Sequence, residues 1–319
     1  MTWSIFKFNW QKSRPHLYLL TQFLPAETKG KILKSDAWPH LLKEDPHKAI
    51  DRFLAEGILE PADLRSLLDY RYNTAELKQQ LNKLGLQQSG KKSDLIDRLL
   101  LTNQKRYQQL QHQLNLLQCS ELGKTIAMQF KETETQTRRD FETSTFQALQ
   151  HRQLAQACQL VAEYNQQKIS LHPISPDEQD HSLRRNQMLL HVIFNSKPKI
   201  LQTLSDDKLN ILRIAAGMLL LWQKHTSTKW LPANFSTELI MDNLTAAHMM
   251  YSYALHQEQM ALHKQNKVKR IEIICSANPC NECKQIATKK YTLTNVPELP
   301  YEHCTSPHGC FCITMGCLS

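Results

Sequence analysis

Apolar positions recur along most of this chain at helical spacing, with a short strand-like pattern only near the C-terminal end. At the start, Trp3, Ile5, Phe6, Phe8 and Trp10 partly alternate, compatible with a short strand or a docking arm. Ile50, Phe53 and Leu54 then mark the apolar face of a helix over about residues 45–55. Pro61 reads as the first residue of another helix, with Leu64, Leu67 and Leu68 turned inward. Asn73 is placed to cap a third, and Glu76 reaches back from the N3 position to complete a capping box. Leu77, Leu81 and Leu84 form its stripe, and Gly85 supplies a stop that tolerates positive φ. Leu86 to Gly90 reads as a turn, Ser89 as the cap of a further short helix, and Leu95, Ile96 and Leu99 as that helix's apolar face. Leu86 is placed to plug the gap between the two helices.

Residues 103–167 contain one glycine, Gly123, and no proline. Their sparse apolar positions and abundant Gln suit long helices, an antiparallel pair broken near Cys119 to Gly123 and open to a protein partner. No heptad is sustained, so a dimeric coiled coil is not expected. Pro173, Pro176 and two aspartates make 168–182 a linker. A second helical domain follows over 183–264. Its segment Asp206 to Lys224 is apolar nearly all round and reads as a buried central helix. Ser236 is placed to cap a last long helix carrying His248, His256 and His263, which read as residues at the edge of the core or on the surface. From Val268 to Cys275 the pattern changes to β-branched alternation, a strand, with Lys289 to Leu293 as its partner. The expected fold is mainly α: a multi-domain helical protein with a small C-terminal β-hairpin module. Its regions are 1–71, packed on a hairpin at 72–102, then 103–167, the linker 168–182, the domain 183–264 and the module 265–319.

Composition narrows the setting. The 319 residues leave room for two or three domains, and a formal charge of +9 favours an acidic partner such as nucleic acid. Met1 to Pro15 has no continuous apolar core of a secretory signal. The longest apolar run, Ile214 to Trp222, has nine residues against the roughly twenty that span a bilayer. An intracellular protein without a membrane partner is expected, in bacterial cytoplasm or, in a eukaryote, the nucleus. Seven of the nine cysteines lie after residue 274, a distribution that suits a reduced compartment and a metal site.

Two clusters carry candidate chemistry. At the start of the second short helix Lys91 and Lys92 sit beside free N–H groups, a place where an anion such as phosphate relieves the unfavourable dipole. The run NTAELKQQLNKLGLQQSGKKSDLIDRLL, Asn73 to Leu100, resembles the SAP motif, a small helix-extended-helix DNA-binding module, over roughly Tyr72 to Thr102. The resemblance implies binding to double-stranded DNA, largely through phosphates and shape, with Lys78, Ser89, Gly90, Lys91, Lys92 and Arg98 as candidate contacts.

The second cluster is a C-x2-C-x20-C-x5-C-x-C array: Cys280, Cys283, Cys304, Cys310 and Cys312. A C-x2-C turn curls two thiolates toward one ion, and a second pair about twenty residues on closes a tetrahedral structural zinc site. Five cysteines compete for four positions. Cys280, Cys283, Cys310 and Cys312 are the favoured set, with Cys304 or His308 as substitutes, and Cys317 is not expected to bind. The run from Arg270 through Cys280, Cys283 and Lys290 to Cys312 is also similar to the C-terminal tail of phage Mu F-like head-morphogenesis proteins. It departs from that tail in the spacing of His308 to Cys310 and in carrying Cys304. That similarity implies a phage-derived bacterial protein.

Function is expected to be DNA binding, with the zinc module as a structural part. The alternatives are a nuclease-type DNA-processing enzyme or a phage assembly factor. A metal-dependent nuclease needs clustered carboxylates or a catalytic histidine beside an open metal position. The sequence displays no such constellation, and 268–293 contains no histidine.

Overall fold

The computed structural model describes residues 9–172, 174–223 and 228–317, so the arm at Trp3, Ile5, Phe6 and Phe8 lies outside the described residues. The protein is mainly helical with two small antiparallel sheets, and it divides into two compact units. The first comprises residues 1–137 with 169–173, the second 138–168 with 174–319.

In the first unit a 3-10 turn at Trp10–Lys12 leads into α1 (Arg14–Thr21), β1 (Glu27–Thr28), α2 (Lys29–Ile32), α3 (Trp38–Leu42) and α4 (Pro46–Ala55). Asp45 caps α4 by accepting from the His47 N–H, and Ile50 and Phe53 are buried as their spacing requires. Pro61 does not open a helix. It ends β2 (Leu59–Pro61), and Asp63 caps α5 (Leu64–Arg71) by accepting from the Ser66 N–H. An Asp side chain satisfies an orphan amide, which proline at that place cannot do. Next come α6 (Thr74–Lys83) and α7 (Lys92–Leu114), which is a helix of 23 residues rather than a short one. Nothing in 101–113 breaks it: the run lacks Gly and Pro and is rich in Gln, with Leu, Lys and Arg besides.

A strand, β3 (Leu116–Cys119), interrupts the stretch that reads as continuous helix, and all four of its residues are buried. It is the centre of a sheet ordered β1-β3-β2, pairing Glu27 with Leu117 and Leu59 with Cys119. Helix α8 (Glu121–Gln150) then begins in the first unit and continues into the second. Its Gly123 lies against the Ile58 carbonyl so closely that a Cβ would stand 2.1 Å from the oxygen.

The second unit holds α9 (Leu154–Gln167), α10 (Pro176–Asn195), α11 (Asp206–Trp222) and α12 (Asn243–Gln265). The linker expected over 168–182 ends at Ser175, which caps α10 through a reciprocal box with Glu178. Helix α11 is buried along most of its length, as its pattern predicts. The cap of α12 is Asp242 and not Ser236: Asp242 accepts from the Thr245 N–H, and the chain between is irregular. His256 and His263 on α12 are buried and His248 is half-buried. Burial pushes the His256 ring down to about 4, with the neighbouring His263 acting in the same direction.

The C-terminal module contains β4 (Arg270–Ile274), α13 (Asn281–Ala287), β5 (Lys290–Tyr291) and β6 (Ile313–Cys317). The expected β4–β5 pairing forms, Ile271 opposite Tyr291, but the module is a three-stranded sheet ordered β5-β4-β6 rather than a hairpin. The longer pairing is between β4 and β6, from Arg270 opposite Cys317 to Ile274 opposite Ile313. Ile271 and Ile273 of β4 and Thr314 of β6 are buried. Among the described residues no helix is long and apolar enough to cross a membrane.

Candidate nucleic-acid interface and metal centre

The capping box that starts α6 is complete: the Asn73 side chain accepts from the Glu76 N–H at 3.0 Å, and the Glu76 carboxylate accepts from the Asn73 N–H at 2.7 Å. Gly85 ends the helix at φ 67°. Leu67, Leu68, Leu77, Leu81, Leu95, Ile96, Leu99 and Tyr107 form one buried cluster, with Leu86 half-buried against it. Helix α5 and the distal part of α7 therefore complete a core that α6 and the first turns of α7 cannot build alone.

The six candidate contacts do not share one role. Ser89 does not cap α7; Lys91 occupies the cap position, and its N–H donates to the Asp94 carboxylate at 3.0 Å. An acidic group at N3 satisfies an amide and complements the dipole. The Ser89 hydroxyl instead accepts from Gln87 Nε2. Gly90 sits at φ 119°, and a Cβ there would come within 2.9 Å of Asp94 Oδ2. Arg98 donates to the carbonyls of Gln87 and Ser89, fastening the turn from inside. The Lys92 ammonium lies 2.9 Å from the Asp69 carboxylate and donates to the Asp69 carbonyl at 2.6 Å. Lys78 and Lys91 remain exposed cations. Asp69, Asp94 and the carbonyl-bound role of Arg98 are invisible in a pattern, since they depend on which turn groups meet in space.

In the C-terminal module the start of α13 carries Cys280 and Cys283, while the chain between β5 and β6 returns Cys304, Cys310 and Cys312 to the same place. Two groups of sulfurs, each within 4.8 Å of one another, share Cys283: Cys280 with Cys283 and Cys304, and Cys283 with Cys310 and Cys312. The Cys280 and Cys304 sulfurs are 3.7 Å apart, and those of Cys283 and Cys310 are 3.8 Å apart. A tetrahedral ion with bonds of about 2.3 Å to sulfur requires S–S edges of about 3.8 Å, so each pair has the spacing of two donors on one metal ion, while no four of these sulfurs lie mutually within 4.8 Å. His308 is exposed and belongs to neither group. Cys275, which reads only as the end of a strand, lies 3.0 Å from Cys312. Register is the signal that could have found it, once β6 is recognised as the partner of β4.

The electrostatics of the cluster suit a cation. Hydrogen bonds from Cys304 and Cys312 hold the Cys310 thiol far below its ordinary range, against its burial. The N–H of Tyr301 also donates to Cys310 Sγ at 3.2 Å. The same contacts push Cys304 and Cys312 up. Burial would raise the Cys280 thiol, but the N–H groups of Cys283 and Thr305 bring it down to about 6. Burial, reinforced by charge at Cys310, pushes Cys283 up to about 12. The directions differ from sulfur to sulfur because the thiols share hydrogen bonds, and a divalent ion binds such sulfurs as thiolates.

Residues 71–101 match the SAP domain. The matched segment begins at the end of α5 and closes near the middle of α7, enclosing the capping box, the Gly85 stop and the Gly90–Lys92 turn. No curated protein and no solved structure matches the chain. No match supports the similarity of the C-terminal run to the tail of Mu F-like head-morphogenesis proteins.

Proposed function

We propose that the protein docks on duplex DNA through its SAP domain and that its C-terminal module is pinned by one structural zinc ion. The observation that carries the first part is the SAP match over residues 71–101. Its exposed turn presents Lys91, and α6 presents Lys78, both without a carboxylate partner among the described residues. These two side chains are the phosphate contacts in this reading. Lys92, Arg98 and Gly90 shape the turn that carries Lys91, and Ser89 contributes its backbone carbonyl to the same turn. The geometry favours nonspecific contact: two lysines on a helical scaffold meet phosphates, which position a protein on DNA but carry no sequence information.

In the same reading Cys280, Cys283, Cys304 and Cys310 are the zinc ligands. Their pairs at 3.7 and 3.8 Å each match one edge of a tetrahedron, and the two pairs must draw closer when the ion binds, since the four sulfurs do not all lie within 4.8 Å of one another. Cys304 thereby replaces Cys312 in the set that spacing favours. The ion supplies a cross-link between the start of α13 and the segment leading into β6.

The test is a titration of the full chain with fluorescent duplexes of unrelated sequence at several salt concentrations. Docking on phosphates predicts similar affinities for all of them and a linear fall of log K with log salt, with about 0.9 of slope for each phosphate neutralised. Absence of binding at low salt overturns it.

A further inference from the structure

Cys275 follows β4 directly and Cys312 directly precedes β6. The register of the two strands pairs Ile274 with Ile313, so Cys275 and Cys312 stand opposite each other at the next position of the ladder. Their sulfurs are 3.0 Å apart, and the Cys275 thiol also donates to the Cys283 carbonyl at 3.3 Å. Directly opposed residues of an antiparallel pair have Cα atoms about 4.5–5.5 Å apart, inside the roughly 4.4–6.8 Å that a disulfide spans. Cys275 is half-buried and reachable from solvent, while Cys312 is buried behind it. All four proposed zinc ligands lie between these two cysteines in the chain, so the pair sits at the neck of the metal-binding loop.

We infer that Cys275 and Cys312 are a redox pair that closes this neck as a reversible disulfide when the protein meets a hydroperoxide, an inference that rests on Cys280, Cys283, Cys304 and Cys310 being the zinc ligands. The Cys275 sulfur attacks hydrogen peroxide, the O–O bond breaks, and the thiol proton leaves with the departing oxygen as water. Cys275 is then a sulfenic acid. The Cys312 sulfur attacks it, the S–S bond forms, the S–O bond breaks, and the Cys312 proton leaves with the hydroxyl as a second water. Two thiols are oxidised by two electrons and one peroxide is reduced to two waters. A thiol reductant reverses the step by exchange. Closing the loop limits how far its two ends separate when the metal leaves, so the oxidised module releases zinc to a chelator more slowly than the reduced one.

The experiment treats the full zinc-loaded chain with stoichiometric hydrogen peroxide, alkylates the remaining thiols and maps the peptides without reduction. Wild type is expected to lose two hydrogens, to link the peptides holding Cys275 and Cys312, to keep its zinc, and to revert with dithiothreitol. Cys275→Ser and Cys312→Ser are expected to form no such link and to keep the wild-type zinc content. Loss of zinc from either serine variant overturns the inference, because that sulfur is then a ligand. So does oxidised wild type in which Cys275 and Cys312 remain alkylated, or are linked to other cysteines. Wild type that purifies without zinc and still forms the Cys275–Cys312 link overturns the ligand assignment and supports the pair.

Discussion

The ammonium of Lys92, in the first turn of α7, is held by both the carboxylate and the carbonyl of Asp69 on α5. The adjacent Lys91 has no such partner among the described residues, so two neighbouring lysines of one motif differ in their contacts. Lys92→Met is expected to destabilise the first unit by about 0.5–1 kcal/mol, the range of a partly exposed ion pair. Urea denaturation followed by the buried tryptophans Trp10 and Trp38 reads this loss. An unchanged midpoint shows that the Asp69 pairing contributes nothing.

Gly123 admits no side chain. A methyl group there meets the Ile58 carbonyl oxygen, which is fixed by the Ser120 N–H at 3.0 Å. Gly123→Ala must move α8 away from the β2–β3 edge, at a cost of about 3 kcal/mol or more. A drop in the thermal midpoint of the first unit checks it, and wild-type stability would show that the approach is looser than the geometry states.

Acid is expected to weaken the first unit through Glu44. Burial alone would raise its carboxyl, but Arg52 and His16, hydrogen-bonded at 2.8 and 2.6 Å, outweigh it and hold the group below its ordinary value. A depressed folded-state value means stability that is present above the unfolded value, about 4.3, and lost as pH falls through the folded one. Glu44→Gln should flatten the decline in stability below about pH 4.5. An identical acid limb in the two proteins contradicts this role for Glu44.

Cys304→Ser is expected to lower zinc content well below the roughly one ion per chain proposed for wild type, whereas His308→Ala leaves it unchanged. Removing zinc with a chelator should speed amide exchange in β4 and β6, since the metal ties together the chain that joins them. Elemental analysis and exchange mass spectrometry decide it. Full zinc in Cys304→Ser would return Cys312 to the ligand set.

The parts of this molecule that depend on local chemistry are legible in its sequence. The Asn73–Glu76 box, the Gly85 stop, the apolar run of α11 and the C-x2-C turn of Cys280 and Cys283 all follow from residues within a few positions of one another. What escapes depends on partners distant in the chain. Strand β3 is four residues, Leu116–Cys119, with no alternation to separate it from the flanking helices, and only pairing with β1 and β2 makes it a strand. Cys275 is unremarkable until β6 sets Cys312 opposite it. The contacts of Lys92 with Asp69 and of Arg98 with two turn carbonyls likewise appear only when the fold brings these groups together.

The most direct test of DNA docking is the affinity of the full chain for a fluorescent duplex when Lys78 and Lys91 are both replaced by glutamate, with circular dichroism confirming an intact fold. Docking through these two lysines predicts weaker binding to every duplex sequence and a salt slope reduced by about 0.9 for each phosphate no longer neutralised. A folded double variant that binds as tightly as wild type, with the same slope, contradicts it.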